Sequence, residues 1–267
     1  MPFTPAHAAA VLPLMRWLGA ASVPSALVIG SMAPDFVFFH ADLGRRHETH
    51  SLRGLFSYCL PVGILVYLLF HAVLARPLVA LAPPRVESRV RPLIGQPLPL
   101  SWKHWLAVAF CLLLGAATHL VWDGFTHEND FGVAAFPTLR TELTAVGGYP
   151  VYVYKLLQHG STLFGLGIVS IWCLRALRRL PSQSGGDSGA MSRMQRLGIV
   201  CAVGALSIAS AILAGARALM AGPPPSVAPL QLFAGRAVVA GITAAAVAVS
   251  AYAALWWIAR WSRNRRR

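Results

Sequence analysis

WLAVAFCLLLGAATHLVWDGFTHEND, residues 105–130, decides the fold class: from Trp105 to Trp122 it holds no Asp, Glu, Lys or Arg, and at Asp123 it turns polar. An uncharged run of that length matches the roughly 17 to 25 residues that a helix needs to cross a hydrocarbon core of about 30 Å. Four more runs of the same kind lie at Gly54 to Ala75, Leu156 to Leu174, Leu197 to Ala216 and Ala237 to Ala259. Backbone groups in lipid must pair within their own segment, so each run is expected to be helical. Gly160, Gly165 and Gly167 make the third of the five the weakest helix former. The whole chain agrees: 267 residues, 56% hydrophobic and 12% charged, with a mean hydropathy of +0.59. A soluble domain carries roughly 25% charged residues. A water-soluble globule, a disordered tail and a disulfide scaffold are all excluded. The expected fold is all-α, a polytopic helical membrane protein with about five transmembrane helices.

The charges then give an orientation. The chain carries 23 Lys and Arg against 9 Asp and Glu, a net charge of +14. In a soluble protein that excess would suggest nucleic acid. Here 15 of the basic residues fall in Arg76 to Lys103, Arg175 to Arg196 and Arg260 to Arg267, each just beyond an apolar run. No nucleic-acid partner is expected; the partner is the lipid bilayer. With five spans these three stretches share one side, which the positive-inside rule makes cytoplasmic in a bacterial plasma membrane. Residues 1–53 and 123–155 are then outside.

The start, MPFTPAHAAAVLPLMRW, lacks the basic opening of a signal peptide and reads as retained sequence. Trp17 to Pro34 is apolar but interrupted by Gly19, Pro24, Gly30 and Pro34, so it reads as a re-entrant or interfacial helix pair, with a sixth span as the alternative. The expected organisation is a helical membrane domain over 1–180 and a cytoplasmic linker over 181–196 that contains SQSGGDSG. A two-helix hairpin with a basic tail follows over 197–267. The Ala, Val and Gly content of that hairpin suits close packing in lipid, as scaffold or oligomer contact. The four cysteines, Cys59, Cys111, Cys173 and Cys201, lie inside apolar runs without C-x-x-C spacing and read as small hydrophobes.

Polar groups beside membrane spans are costly, so their placement is informative. Seven of the nine acids and six of the nine histidines fall in or at the edge of the two large outside stretches, and His119 lies one turn from the same boundary. The sharpest pattern is His119-x3-Asp123-x3-His127, because residues four apart share a helix face and could converge on one ion. Gly124 is a candidate terminator of that helix, and capping with interfacial solvation is the competing account. His7 in FTPAHAAA, Asp35 in SMAPD and His50 in ETHSL each have a plain structural reading. Together with His119 and Asp123 they make a His/Asp set on one side, suited to one divalent ion, above all zinc. His159 in KLLQHGST is a further candidate ligand, with Gln158 and Ser161 as helpers. A bound divalent ion lowers the pKa of its water toward about 7, which supplies a nucleophile for an ester or phosphoester. Glu48 and Glu128 are the candidate catalytic bases, with Asp130 beside them, and Arg45 and Arg46 are candidates to hold a substrate phosphate.

These residues carry a resemblance. MPFTPAHAAAVLPL, GSMAPDF, THSLRGLF, THLVWDGFTHEN and YKLLQHGSTLFG resemble, over about residues 1–175, an uncharacterised family of bacterial integral membrane proteins catalogued as domain of unknown function 4184. More distantly, the pattern resembles the membrane-bound metal-dependent hydrolases and the helical zinc-dependent phospholipase C group. Their early His, Pro-Asp, Thr-His-Ser and His-x3-Asp correspond to His7, Asp35, His50, and His119 with Asp123. Val37 stands where their second Asp would be, so the resemblance implies one ion rather than several. It implies a hydrolase acting on a phospholipid or another envelope phosphoester. The alternative is a non-enzymatic membrane protein with a transport, scaffold or metal-stabilised structural role.

Overall fold

The computed structural model describes residues 4–40, 46–94, 96, 98–147, 149–182, 191–222 and 228–265. Arg45, Asp42 and nearly all of the SQSGGDSG segment lie outside the described residues, as does the side chain of His40. Among the described residues, five helices are long and apolar enough to cross a membrane: Leu52–Leu81, Trp102–Gly124, Val153–Arg179, Arg193–Met220 and Pro229–Arg265. Each contains the run expected from the sequence and extends past it at both ends, in several cases onto arginines whose long stems can reach the headgroups. Large apolar side chains such as Leu65, Phe164, Ile208 and Val247 face outward from them, as lipid contact requires. The chain is a multi-pass helical membrane protein.

By internal contacts the molecule divides into two units, Met1–Tyr67 with Pro99–Arg175, and Leu68–Leu98 with Ala176–Arg267. In the first, Trp17 to Pro34 does not form a sixth span. The chain makes a helix at Ala8–Trp17, turns at Gly19 (φ +50°) and starts again with Pro24–Met32, the helix pair expected from its glycines and prolines. Pro24 opens the second helix, where its missing N–H costs nothing.

This second helix lies directly on the span Trp102–Gly124, and glycine makes the contact possible. A Cβ on Gly115 would overlap the Leu27 carbonyl, and one on Gly30 would overlap the Leu112 carbonyl. The two backbones therefore touch, with Leu27, Ala26, Val108, Leu112 and Ala116 buried around the crossing. Backbone contact at Gly115 places the next turn of the span, which carries His119, beside the C-terminal end of the short helix and the Ala33–His40 3-10 helix that follows it.

A small antiparallel ribbon interrupts the helices: β1 (Glu142–Val146) pairs with β2 (Tyr149–Tyr152), and Gly147 takes φ +59° in the turn. The Gly-Gly dipeptide between β-branched and aromatic residues is a hairpin signal. It was masked by the dominance of apolar runs elsewhere.

In the second unit, Pro77 cannot donate to the carbonyl of Val73 four residues earlier, and the helix widens into a π-turn over Phe70–Leu74. The Val73 carbonyl accepts instead from Trp257 Nε1 at 3.0 Å, and the Pro77 carbonyl accepts from Tyr252 at 3.0 Å. Buried Glu87 takes an ion pair from Arg91 and another from Arg196 at 2.5 Å. Trp256 and Trp261 lie under the guanidinium groups of Arg260 and Arg265, the arrangement expected of an interfacial anchor.

Candidate metal centre

Four side chains from three separate parts of the first unit meet at one point. Asp35 comes from the first turn of the 3-10 helix Ala33–His40, and His50 from the turn after Arg46–Thr49. His119 and Asp123 stand four apart on the last turns of the span Trp102–Gly124. One ligand atom from each lies within 4.8 Å of all the others, so the group could hold a metal ion. Their side chains are between 0% and 5% exposed, so water does not solvate these charges.

The spacings are specific. His50 Nε2 is 3.3 Å from Asp35 Oδ1 and 3.5 Å from Asp123 Oδ2, while His119 Nε2 is 3.6 Å and 3.5 Å from the same two oxygens. Donors held about 2.0–2.2 Å from one ion at tetrahedral angles stand about 3.3–3.6 Å apart. Hydrogen bonds between an imidazolium and a carboxylate would be shorter, about 2.7–2.9 Å. Asp35 Oδ1, His50 Nε2, His119 Nε2 and Asp123 Oδ1 are all buried without a hydrogen-bond partner among the described residues. Buried polar atoms are seldom left so; three of these four belong to the converging set, whose Asp123 atom is Oδ2, bonded to Arg46, and the set could hold a cation.

The surroundings fix each ligand's orientation. His119 Nδ1 lies 2.8 Å from the Ser31 carbonyl, and His50 Nδ1 lies 3.1 Å from the Arg46 carbonyl and 3.0 Å from Thr49 Oγ1. A carbonyl only accepts, so we assign the proton of each ring to Nδ1, which leaves the Nε2 lone pair aimed at the centre. Thr4 Oγ1 donates to Asp35 Oδ2 at 2.7 Å and leaves Oδ1 for the centre. Burial alone would raise Asp35, but His119 and His50 outweigh it and hold the carboxyl below its ordinary range. Burial alone would lower His50, and Asp123 and Asp35 outweigh it and raise the ring above the ordinary imidazole value. The two carboxylates thus draw positive charge to this point, and a proton or a metal ion would answer that field.

The remaining sequence candidates are distributed around this group. His7 is buried and stacks on His119 with ring centroids 3.8 Å apart, its Nε2 3.5 Å from Asp123 Oδ1. Burial, reinforced by His119, pushes it down to about 3, so the ring is neutral at pH 7. His127 follows the helix end at Gly124, with Nδ1 3.5 Å from Asp123 Oδ2 and Nε2 3.3 Å from the Gln158 amide nitrogen. Burial, with Arg46 nearby, pushes it to about 4 despite Asp123. His159 is exposed; its neighbour Gln158 is the buried side chain that faces inward. Glu48 is exposed, and Glu128 accepts from the Tyr154 hydroxyl at 3.3 Å. Arg46 Nη2 reaches Asp123 Oδ2 at 3.1 Å and Asp130 Oδ2 at 3.2 Å, which makes Asp130 the outer acid in direct contact with the shell of the centre.

Thr4 was not read as functional from sequence. Its signal was its place three residues before His7, on the same 3-10 turn. Thr4→Val keeps the shape and removes the donor to Asp35; outer hydrogen bonds of this kind are worth about 10–100-fold in metal affinity. The variant is expected to fold as the parent does and to yield its metal to a chelator at about 10–100-fold lower concentration, measured by competition in detergent.

A family model described as Domain of unknown function (DUF4184) matches residues 1–254, which includes the span Arg193–Met220 and most of Pro229–Arg265 as well as the region whose motifs are recognisable in sequence. No curated protein matches the chain, and no solved structure matches it. The more distant resemblance to metal-dependent hydrolases is therefore unsupported by these comparisons.

Proposed function

We propose that this chain, which belongs to the family described as Domain of unknown function (DUF4184), is a membrane-embedded metal-dependent hydrolase that acts on a phospholipid or another envelope phosphoester. The observation that carries the reading is the set of four buried nitrogen and oxygen atoms at tetrahedral spacing, three of them without a hydrogen-bond partner among the described residues and the fourth, Asp123 Oδ2, held by Arg46. Asp35, His50, His119 and Asp123 would hold one divalent ion, with zinc the best fit to mixed imidazole and carboxylate donors. His7 and His127 would support Asp123 from either side. When bound, such an ion lowers the pKa of a coordinated water toward about 7 and polarises a phosphoryl oxygen.

Exposure rises in one direction from the centre. His127 is 16% exposed, and Arg46 and Asp130 are each 26% exposed, so a substrate would enter over these three side chains. Arg46 would receive the phosphate with its guanidinium, and Asp130, already bonded to Arg46, would accept a proton on that side. Glu48 and Glu128 remain further candidates for that role, and His159 for an outer one. The parity of five spans supports a bacterial plasma membrane with the basic segments inside and this centre outside.

A second reading is favoured by the ligand count. Four protein ligands in a tetrahedron make a closed site, the usual form of a structural zinc. In that case the ion holds the helix pair, the Arg46–His50 turn and the span together and performs no chemistry. The two readings separate on one experiment. Zinc-loaded protein in detergent is expected to hydrolyse bis(p-nitrophenyl) phosphate, and Arg46→Met to lower kcat/KM by about tenfold or more with metal content unchanged. A fully loaded, folded protein with no turnover on this or on dispersed phospholipid would leave the structural reading standing.

A further inference from the structure

The ribbon between the second and third spans has no core. All five residues of β1 are exposed, including Leu143 at 53% and Val146 at 67%. A lone two-stranded ribbon is marginal in water, and one that exposes aliphatic side chains at its tip is less favourable still. Phe125, Phe131 and Phe136 form an exposed ring cluster in the same segment, with centroids 5.7 Å and 6.0 Å from Phe125.

Both ends of the segment are tied to helices apolar enough to cross the membrane. Phe125 directly follows the span Trp102–Gly124, and β2 runs without a break into Val153–Arg179. The Val153 N–H donates to the Thr141 carbonyl at 3.1 Å, which fixes the base of the ribbon on the first turn of that span. At about 3.3 Å per residue, strands of four and five residues carry the tip no more than about 17 Å from that base. The headgroup layer on one face of a bilayer is roughly 5–8 Å thick. The ribbon is therefore short enough for its tip to stay at the membrane surface, and its exposed aliphatic side chains favour that position.

The chemistry of the flanks suits that position. Tyr152 stacks on Tyr154 with centroids 5.6 Å apart, Lys155 Nζ lies 5.4 Å from the Tyr154 ring, and Arg140 is exposed at the foot of β1. Tyr154 is itself buried, which leaves half-buried Tyr152, Lys155 and exposed Arg140 as the outward groups, a tyrosine with adjacent cations of the kind that the water–lipid boundary selects. We propose that residues 125–152 form a lipid-contacting wedge, with Leu143, Val146 and the Phe125–Phe131–Phe136 cluster seated at the boundary of headgroups and acyl chains. The occupant of this apolar surface is the bilayer in which the chain resides, not a second protein. The inference is independent of whether the metal centre is catalytic. It would place a lipid surface beside the Arg46–Asp130 side of the centre, through Tyr154, Glu128 and His127.

The test uses the full chain with exposed Cys173 and Cys201 replaced by Ala, buried Cys59 and Cys111 retained, and Val146→Cys labelled with an environment-sensitive nitrobenzoxadiazole dye. The protein is placed in nanodiscs of phosphatidylcholine and phosphatidylglycerol. A nitroxide on the acyl chain near the headgroup is expected to quench the dye roughly twofold or more, while aqueous iodide quenches it little, as for a group seated about 5–10 Å into the interface. Strong iodide quenching without lipid quenching would make the ribbon a solvated loop and overturn the proposal. Protection from both quenchers would place protein over the tip and overturn it equally. Leu143→Cys repeats the measurement on the same strand if the first position labels poorly.

Discussion

Elemental analysis of the detergent-purified protein is expected to read about one zinc, manganese or iron per chain, and the His119→Ala, Asp123→Ala double variant to read none. The double variant removes two of the four converging groups and leaves Asp35 and His50, too few donors to hold a divalent ion against water. It also removes the three contacts at 3.5–3.6 Å and leaves only His50 against Asp35, so no rearrangement of one side chain restores the set. His159→Ala is the matched control, because that side chain is exposed, and it should keep its metal. Stability gives a second readout. A ligand that binds only the folded state stabilises it by about 2.7 kcal/mol at a hundredfold excess over Kd. A chelator should therefore lower the melting temperature of the parent and leave that of the double variant unchanged. Absence of metal in the parent after chelator-free purification and reloading would sink both the hydrolase and the structural-metal readings. It would return the cluster to a buried network of two carboxylates and their histidines.

The sequence made the spans and the convergence legible for the same reason: in a chain that lives in lipid, charge is expensive and its absence is a signal. Five uncharged runs became five helices, and the acids and histidines that remained near span ends had to satisfy one another. His119 and Asp123 were readable from spacing alone, since both lie on one helix that continues as far as Gly124. Asp35 and His50 were readable only as members of a set, because nothing local to SMAPD or ETHSL says that they meet. What spacing could not give were contacts made across the fold by groups with ordinary local roles. Thr4 has no local signature of a role, the Ser31 carbonyl has no side-chain signature at all, and Arg46, a candidate for a substrate phosphate, gives no sign in sequence that it lies 3.1 Å from Asp123. His159 sits one residue from the inward face of its helix, and Gln158 occupies that face. A one-residue error on a helix turns a side chain by about 100°, enough to exchange a buried position for an exposed one.

Substitution of Gly115 by Val is expected to be among the most damaging single changes in this chain, although the residue has no side chain and lies one helix turn before His119. A Cβ there meets the Leu27 carbonyl and the Ser31 backbone nitrogen, not a side chain that could rotate away. The helix Pro24–Met32 would have to lift off the span, and with it the Ser31 carbonyl that orients His119. Overpacking a tight contact costs about 1–3 kcal/mol and more where backbone must move, so melting in detergent should fall by many degrees and bound metal should fall with it. Gly160→Ala and Gly167→Ala supply the contrast on the third span. Nothing lies within 4 Å of a Cβ at either position, and exchanging Gly for Ala in a helix gains up to about 1 kcal/mol. Those two changes should leave melting equal or raise it, even though the same glycines made that span look the weakest helix in sequence. The distinction follows from what each glycine touches: at 160 and 167 it is a tolerated weakness, and at 115 it is the only residue that lets two backbones meet and bring Asp35 to His119. A Gly115→Val protein that melts and binds metal like the parent would show that the helix pair does not need this crossing to build the centre.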